Sequence, residues 1–365
     1  MAPFGSRPIP LLHLALPIGV SFVVFEKITY LVDTWRGTSR RADGFVDYCL
    51  FVFFFPKLLA GPILKFHEMR DQIAKPAGPD WSDFGTGLLR VCRGMGRKLL
   101  IADPLGAFVG KVFDHDGARS SMGLAWLALA CFTIQIYFDF AGCSDMAIGL
   151  ARVMGFRLRE NFDAPYISRS MTEFWRRWHM SLTSWIRDYL YVPLGGNRAS
   201  PGRTYLNLWI CFLASGLWHG ASWNFVFWGA YNGLFLTQDR IFLQMALERC
   251  GAWVARIITL FIVMIGWAIF RAEKPGVLGP FLLSLFAPAT PSAELEIPPD
   301  VPLALLFDAV VSLFPALPLY GRLVRLYQER LWLRLMTGFA LLVIYVLALA
   351  RTFGMPFQPF IYFRF

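Results

Sequence analysis

The chain has 365 residues, of which 56% are hydrophobic, 16% are aromatic and only 16% are charged. Soluble domains contain about a quarter charged residues, so this composition excludes an ordinary soluble protein and indicates one embedded in lipid. The net charge of +10 does not indicate nucleic-acid binding, because the arginines and lysines lie mostly at the ends of apolar runs. There they set topology and contact lipid headgroups.

Apolar segments recur along the whole chain, at residues 10–32, 47–64, 120–138, 204–238, 257–270, 301–320 and 335–350. At about 20 residues per crossing, the run 204–238 holds one full span and part of another, which gives about eight apolar segments, some of them re-entrant or tilted. We therefore predict an all-α, polytopic membrane protein that forms a single domain over residues 1–365. The first segment is expected to be a retained membrane anchor.

The region between residues 155 and 203 is rich in charged and aromatic residues. Ser170 and Glu173 fit a capping box, which predicts a helix that begins near Met171. An apolar stripe then recurs at spacings of four, four and three, formed by Phe174, Trp178, Leu182 and Trp185. This pattern predicts an amphipathic or re-entrant segment over about residues 170–197, in the membrane interface or between spans.

His219 lies inside the longest charge-free run of the chain. A titratable side chain in a membrane is costly unless it meets a polar cavity or partner, so His219 is a candidate functional residue. A hydrogen bond between helices is the alternative role.

His179 lies on the predicted amphipathic helix, and taken alone it is typical of an interfacial side chain. Together with His219 it indicates acyl transfer, because imidazole can take a proton from a hydroxyl near neutral pH and return it to a leaving group.

Asp139 and Asp145 form a third unusual site at the end of a charge-free run. Six residues apart, they would lie about 240° around a regular helix, so they form no carboxylate pair unless Gly142 breaks that helix. Pairing with arginines of the following segment would make them structural, and catalysis is the alternative. Neither cysteine pairs nor histidine motifs predict a metal site, and we expect no bound cofactor.

Four sequence blocks resemble the successive signature blocks of the bacterial membrane-bound O-acyltransferase family: NFDAPY (161–166), FWRRWH (174–179), WIRDYLYVPLGGN (185–197) and GLWHGA (216–221). Three further blocks reinforce the resemblance, at residues 55–63, 137–142 and 359–365. They occur in the family's order and cover nearly the whole chain. Within the family, the alginate O-acetyltransferase branch is the most similar, and we expect this chain to lack helices that usually precede the segment beginning at residue 16.

The resemblance implies a helical fold around a funnel or tunnel in the bacterial cytoplasmic membrane, with the essential histidine at position 219 and the second functional histidine at position 179. It implies a cytoplasmic thioester donor such as acetyl-CoA, an extracytoplasmic polysaccharide such as alginate, and a periplasmic or membrane-anchored transfer partner. Seven residues are candidates for holding the donor or lining its path: Trp175, Arg176, Arg177, Trp178, Arg187, Trp218 and Asn224. The arginines among them would attract phosphates.

Three other functions stay open at this point. A transporter or channel would use His219 and Asp139 as a proton or substrate pathway. A lipid or protein O-acyltransferase would share the histidine and add a long apolar slot. An inactive, truncated scaffold would lack the activity.

Overall fold

The computed structural model describes residues 19–58, 60–76, 78, 80–113, 121–198, 200–272, 276–286 and 297–353. These residues form helices and no strand, which confirms the predicted all-α class. The α-helices, in chain order, are α1 (Val20–Trp35), α2 (Phe45–Phe53), α3 (Phe55–Leu58), α4 (Phe66–Ala74), α5 (Trp81–Met95), α6 (Asp103–Phe113), α7 (Met122–Val153), α8 (Met171–Arg177), α9 (Met180–Ile186), α10 (Pro201–His219), α11 (Trp223–Gln238), α12 (Gln244–Arg249), α13 (Ala252–Arg271), α14 (Leu278–Phe286), α15 (Asp300–Leu313), α16 (Tyr320–Glu329) and α17 (Leu331–Thr352). The block 359–365 lies outside the described residues.

Three of the described helices, α7, α13 and α17, are long and apolar enough to cross a membrane. A fourth crossing arises if residues 300–329 are one span, which is bent by 89° between α15 and α16. Most of α7 is buried inside the protein, whereas α17 is almost entirely exposed on its outside. The exposed apolar surface of α17 is thus suited to contact lipid, while α7 forms the centre of the fold.

Two glycine pairs bring α5 and α7 into backbone contact. A Cβ atom on Gly87 would lie 2.7 Å from the carbonyl oxygen of Gly149, and one on Gly94 would lie 2.5 Å from that of Gly142. Small residues permit such close helix packing in membranes. The glycines seven residues apart on each helix thus fix how the charged face of α5 meets α7.

A π-helical stretch, Gly96–Ala102, joins α5 to α6 without a break in the chain of helical residues. It carries Arg97 and Lys98, and both side chains turn toward α7. π-Helical stretches often lie at functional sites. Here the stretch places Arg97 beside Asp145 and Lys98 beside Asp139 on α7.

The amphipathic segment differs from the prediction. The helix begins at Met171, as predicted, and the Ser170 hydroxyl accepts a hydrogen bond from the Glu173 amide. However, the segment is two short helices rather than one, because His179 adopts a left-handed conformation with φ 42°. The four stripe residues, Phe174, Trp178, Leu182 and Trp185, are all buried in the protein. The segment therefore dips into the core.

The charge-free run 204–238 forms α10 and α11, which are separated by the turn Gly220–Ser222. At Gly216 the helices are so close that a Cβ atom would lie 2.3 Å from the carbonyl oxygen of Phe225. This contact places His219, the last residue of α10, against α11.

Candidate active site

His179 occupies the break between α8 and α9, and 2% of its surface is exposed. A left-handed conformation is unfavourable for a residue with a Cβ atom, so it persists only where other contacts hold it. The amide of Met180 donates to the carbonyl oxygen of Asn161 at 2.9 Å, and the amide of Asp163 donates to the carbonyl oxygen of Arg177 at 3.0 Å. Residues 161–163 thus hold the break from both sides.

The side chain of Asn161 is the hub of a buried hydrogen-bond network. Its Oδ1 atom lies 3.1 Å from Nδ1 of His179 and accepts from the hydroxyl of Ser181 at 2.9 Å and from the Ser181 amide at 3.3 Å. Its Nδ2 atom donates to the hydroxyl of Ser144 at 3.1 Å. On the far side, the ring of Phe140 lies edge-on to the imidazole, 4.6 Å between centroids.

His219 lies among aromatic rings, with 9% of its surface exposed. The centroids of Trp218, Trp228 and Phe270 are 4.7, 5.1 and 5.1 Å from the centroid of its imidazole. The next two residues after Gly220, at the α10–α11 turn, are exposed. His219 is therefore nearer to a surface than His179 is.

The two histidines are linked by one continuous aromatic cluster. Trp178, which directly precedes His179, packs on Trp267 at 4.8 Å, Trp267 stacks on Trp228 at 6.3 Å, and Trp228 lies 5.1 Å from the imidazole of His219. Trp175 packs on Trp228 at 5.7 Å. The fold thus brings both predicted histidines and all three predicted tryptophans, Trp175, Trp178 and Trp218, to this cluster.

A cavity of about 770 Å³ is lined by Asn161 and Met180, among other residues. Four arginines also line it: Arg90, Arg93, Arg97 and Arg177. Three of them converge on the buried carboxylate of Asp145, at N–O distances of 3.0, 2.7 and 2.6 Å. Both terminal nitrogens of Arg90 also donate to Glu160, another residue of the cavity lining.

The ion-pair partners of Asp139 and Asp145 differ from those predicted. Helix α7 is regular through Gly142, so the two side chains point to different partners. Asp139 pairs with Lys98 at 3.0 Å, and Asp145 pairs with arginines of α5 and the π-helical stretch. These cations precede α7 in the chain, whereas we had expected them in the segment that follows it.

The other predicted site residues are spread more widely. Arg177 contacts Asp163 and Glu173 at the cavity, each at 2.9 Å, but Arg176 is exposed and Arg187 pairs with its neighbour Asp188 at the surface. Trp218 packs on His219 and on two phenylalanines of α1. Asn224 donates to the carbonyl oxygen of Phe270 at 3.3 Å and so ties α11 to α13 beside His219.

The sequence analysis missed two sets of residues at this site. Asn161 was predicted only as part of the block NFDAPY (161–166), and Arg90, Arg93 and Arg97 were not predicted as site residues. The spacing of the arginines at intervals of three and four was a usable signal, because it places them on one helical face. In the described part of the chain, no cluster of three or more histidine, cysteine, aspartate or glutamate residues is arranged to hold a metal ion.

Comparison with known proteins now identifies the family. Residues 26–272, which include both histidines, the Asn161 network and the arginines of the cavity, match the model of the membrane-bound O-acyltransferase family. The chain belongs to this family. The resemblance read from the sequence blocks is thereby confirmed, and the protein is a membrane protein.

Three relatives illustrate the range of similarity. A Pseudomonas aeruginosa protein named "Probable alginate O-acetylase AlgI" is 46% identical over 74% of this chain and 52% of its own length. A Pseudomonas putida protein of the same name is 38% identical over 100% of this chain and 78% of its own length. A Helicobacter pylori peptidoglycan O-acetyltransferase is 34% identical over 72% and 55%. The chain spans about half the length of several curated relatives that it matches.

Proposed function

We propose that this protein is an O-acetyltransferase of the bacterial cytoplasmic membrane, which it crosses several times. It takes an acetyl group from a cytoplasmic thioester, acetyl-CoA or another acyl thioester, and passes it toward hydroxyls of an extracytoplasmic polysaccharide such as alginate. Transfer is direct or runs through a periplasmic or membrane-anchored partner. The names of the relatives support the substrate class.

The observation that carries the proposal is the pair of buried imidazoles, His179 and His219, which two separate helical segments bring to one aromatic cluster. In the reaction, His219 takes the proton of the acceptor hydroxyl while the oxygen attacks the thioester carbonyl carbon. The carbon–sulfur bond breaks, and the imidazolium returns the proton to the departing thiolate. Burial among aromatic rings keeps water from competing with the acceptor.

The arginine-lined cavity supports the position of the donor. Arginine binds phosphate oxygens with two parallel hydrogen bonds, and a CoA thioester carries several phosphates. In this proposal the donor's charged end binds at Arg93 and Arg97, and Arg177 is part of the same lining. Because positively charged residues favour the cytoplasmic side, we infer that this cavity opens to the cytoplasm.

The test is expression in a bacterium that lacks its own polysaccharide acetylase, followed by measurement of ester-linked acetate on the secreted polymer. The wild-type chain and His219→Ala are compared at equal membrane abundance. We expect acetate with the wild type and a loss of at least a hundredfold in the variant.

The two other outcomes would contradict different parts of the proposal. Equal acetate with both chains would exclude His219 as the base. Acetate with neither chain, with both present in the membrane, would contradict the proposal and favour the inactive scaffold or the transporter, and flux measurements in vesicles then separate these two.

A further inference from the structure

Asn161 has a fixed orientation in the network around His179. The Ser181 amide can only donate a hydrogen bond, and it points at the Asn161 side chain at 3.3 Å, so the atom that it meets is the oxygen. At the other end, the Ser144 hydroxyl donates to the carbonyl oxygen of Ala60 at 3.2 Å, so it accepts from the Asn161 amide group. Backbone groups at both ends therefore dictate which way the side chain points.

This orientation decides the protonation of the imidazole. Nδ1 of His179 faces Oδ1 of Asn161 at 3.1 Å, and an amide oxygen carries no hydrogen to donate. A hydrogen bond between them requires the proton on Nδ1. In a neutral imidazole the other nitrogen, Nε2, then carries the lone pair.

The Nε2 atom is left to act on a substrate. It is buried, and no residue in the described part of the chain forms a hydrogen bond with it. A lone pair accepts a hydrogen bond from a hydroxyl but cannot donate one to the carbonyl oxygen of a thioester. Nε2 can therefore form a hydrogen bond with the acceptor hydroxyl but not with the thioester carbonyl.

We propose that Asn161 is a positioning residue that holds His179 in the Nδ1–H tautomer, so that Nε2 binds the acceptor hydroxyl and not the thioester carbonyl. This inference rests on the proposed function, to which it adds a division of labour. His179 orients the hydroxyl, His219 removes its proton, and the arginine-lined cavity holds the donor. An asparagine that orients a histidine in this way has a parallel in cysteine proteases.

The direct test is ¹⁵N NMR of histidine-labelled protein in lipid bilayers, with the His179 signals assigned by their loss in His179→Gln. We expect a protonated Nδ1 and an unprotonated Nε2 in the wild type. In Asn161→Leu the preference should disappear and both tautomers should be populated. Asn207→Leu is the matched control, because Asn207 is another fully buried asparagine, bonded to the carbonyl oxygen of Leu194 away from the histidines; it should keep the wild-type tautomer.

Kinetics with acetyl-CoA and an alginate oligosaccharide give a second readout. Asn161→Leu should lower kcat by about a hundredfold and raise the KM for the oligosaccharide, while the KM for acetyl-CoA stays the same. A protonated Nε2 in the wild type would overturn the inference, even if the leucine variant fails to fold, and so would an increase confined to the acetyl-CoA KM. If the wild type transfers no acetate, the proposed function fails, while the tautomer can still be measured.

Discussion

Hydrogen bonds hold the ring of His179, whereas aromatic rings surround that of His219. The first imidazole is fixed by Asn161 and its partners at a helix break, and the second lies at a helix end against Trp228 and Phe270. A hydrogen bond specifies which nitrogen carries the proton, while ring packing specifies position and excludes water. The comparison teaches that hydrogen bonds set the protonation of His179 on the polar side of the site, while aromatic rings set the position of His219 on its apolar side.

The largest expected effect comes from breaking the aromatic side. Trp228→Ala removes a side chain that is 2% exposed and touches His219, Trp175 and Phe270. The cavity left behind should lower the free energy of unfolding by about 3–5 kcal/mol. Equilibrium unfolding in mixed micelles measures this change. Trp223→Ala, on the same helix but 75% exposed, is the control, and an equal loss in both variants would contradict the packing role.

Breaking the polar side should have a somewhat smaller effect. Asp145→Leu leaves Arg93 and Arg97 without their shared carboxylate, whereas Arg90 keeps its pair with Glu160. Breaking a buried ion pair costs about 3–5 kcal/mol, and we expect about 3 because Arg93 is partly exposed. Asp163→Asn removes an exposed partner of Arg177 in the same cavity and should cost less than about 1 kcal/mol. The ranking fails if the two variants unfold alike.

The close packing of α5 against α7 can be tested by adding one methyl group at a glycine. Gly94→Ala places a Cβ atom 2.5 Å from a carbonyl oxygen of α7, so it should cost about 1–3 kcal/mol. Gly85→Ala, on the same helix with open space around it, should instead stabilise the protein by about 0.5–1 kcal/mol. Thermal unfolding in detergent gives the sign of each change, and two changes of the same sign would contradict the close approach.

The smallest expected effect concerns the polar surface at the start of α5. Hydrogen bonds from Arg157 and Arg152 lower the pKa of Asp83 below its usual value. The folded state thus binds its proton more weakly than the unfolded state, so the stabilisation is present above the usual pKa and is lost as pH falls through the lowered one. The Tm of the wild type should slightly exceed that of Asp83→Asn at pH 7. A difference that persists unchanged at pH 3 would contradict this account.

Local signals in the sequence predicted local structure well. Ser170 and Glu173 marked the helix start at Met171, because a capping box depends on neighbours in the chain. The apolar runs 120–138 and 257–270 fall in two helices of membrane length, Met122–Val153 and Ala252–Arg271. The sequence blocks led to the family, and the two histidines that they contain border the same aromatic cluster.

Long-range contacts explain what the sequence could not predict. The apolar stripe through Trp178 predicted one continuous helix. Hydrogen bonds between Asn161 and residues 179–181 instead hold a break in it. Nothing within a helical turn of His179 indicates those bonds, since Asn161 lies 18 residues away. Likewise, the partners of Asp145 lie more than 45 residues earlier in the chain, and only the packing of α5 on α7 reveals them.

The most direct test of the central claim is acetyl transfer by purified protein in nanodiscs, followed as release of free CoA thiol from acetyl-CoA in the presence of alginate oligosaccharide. The account predicts release with the wild type, and losses of a hundredfold or more in His219→Gln and in His179→Gln. Wild-type rates in either variant, with the protein folded, would contradict a transfer centre built from these two imidazoles.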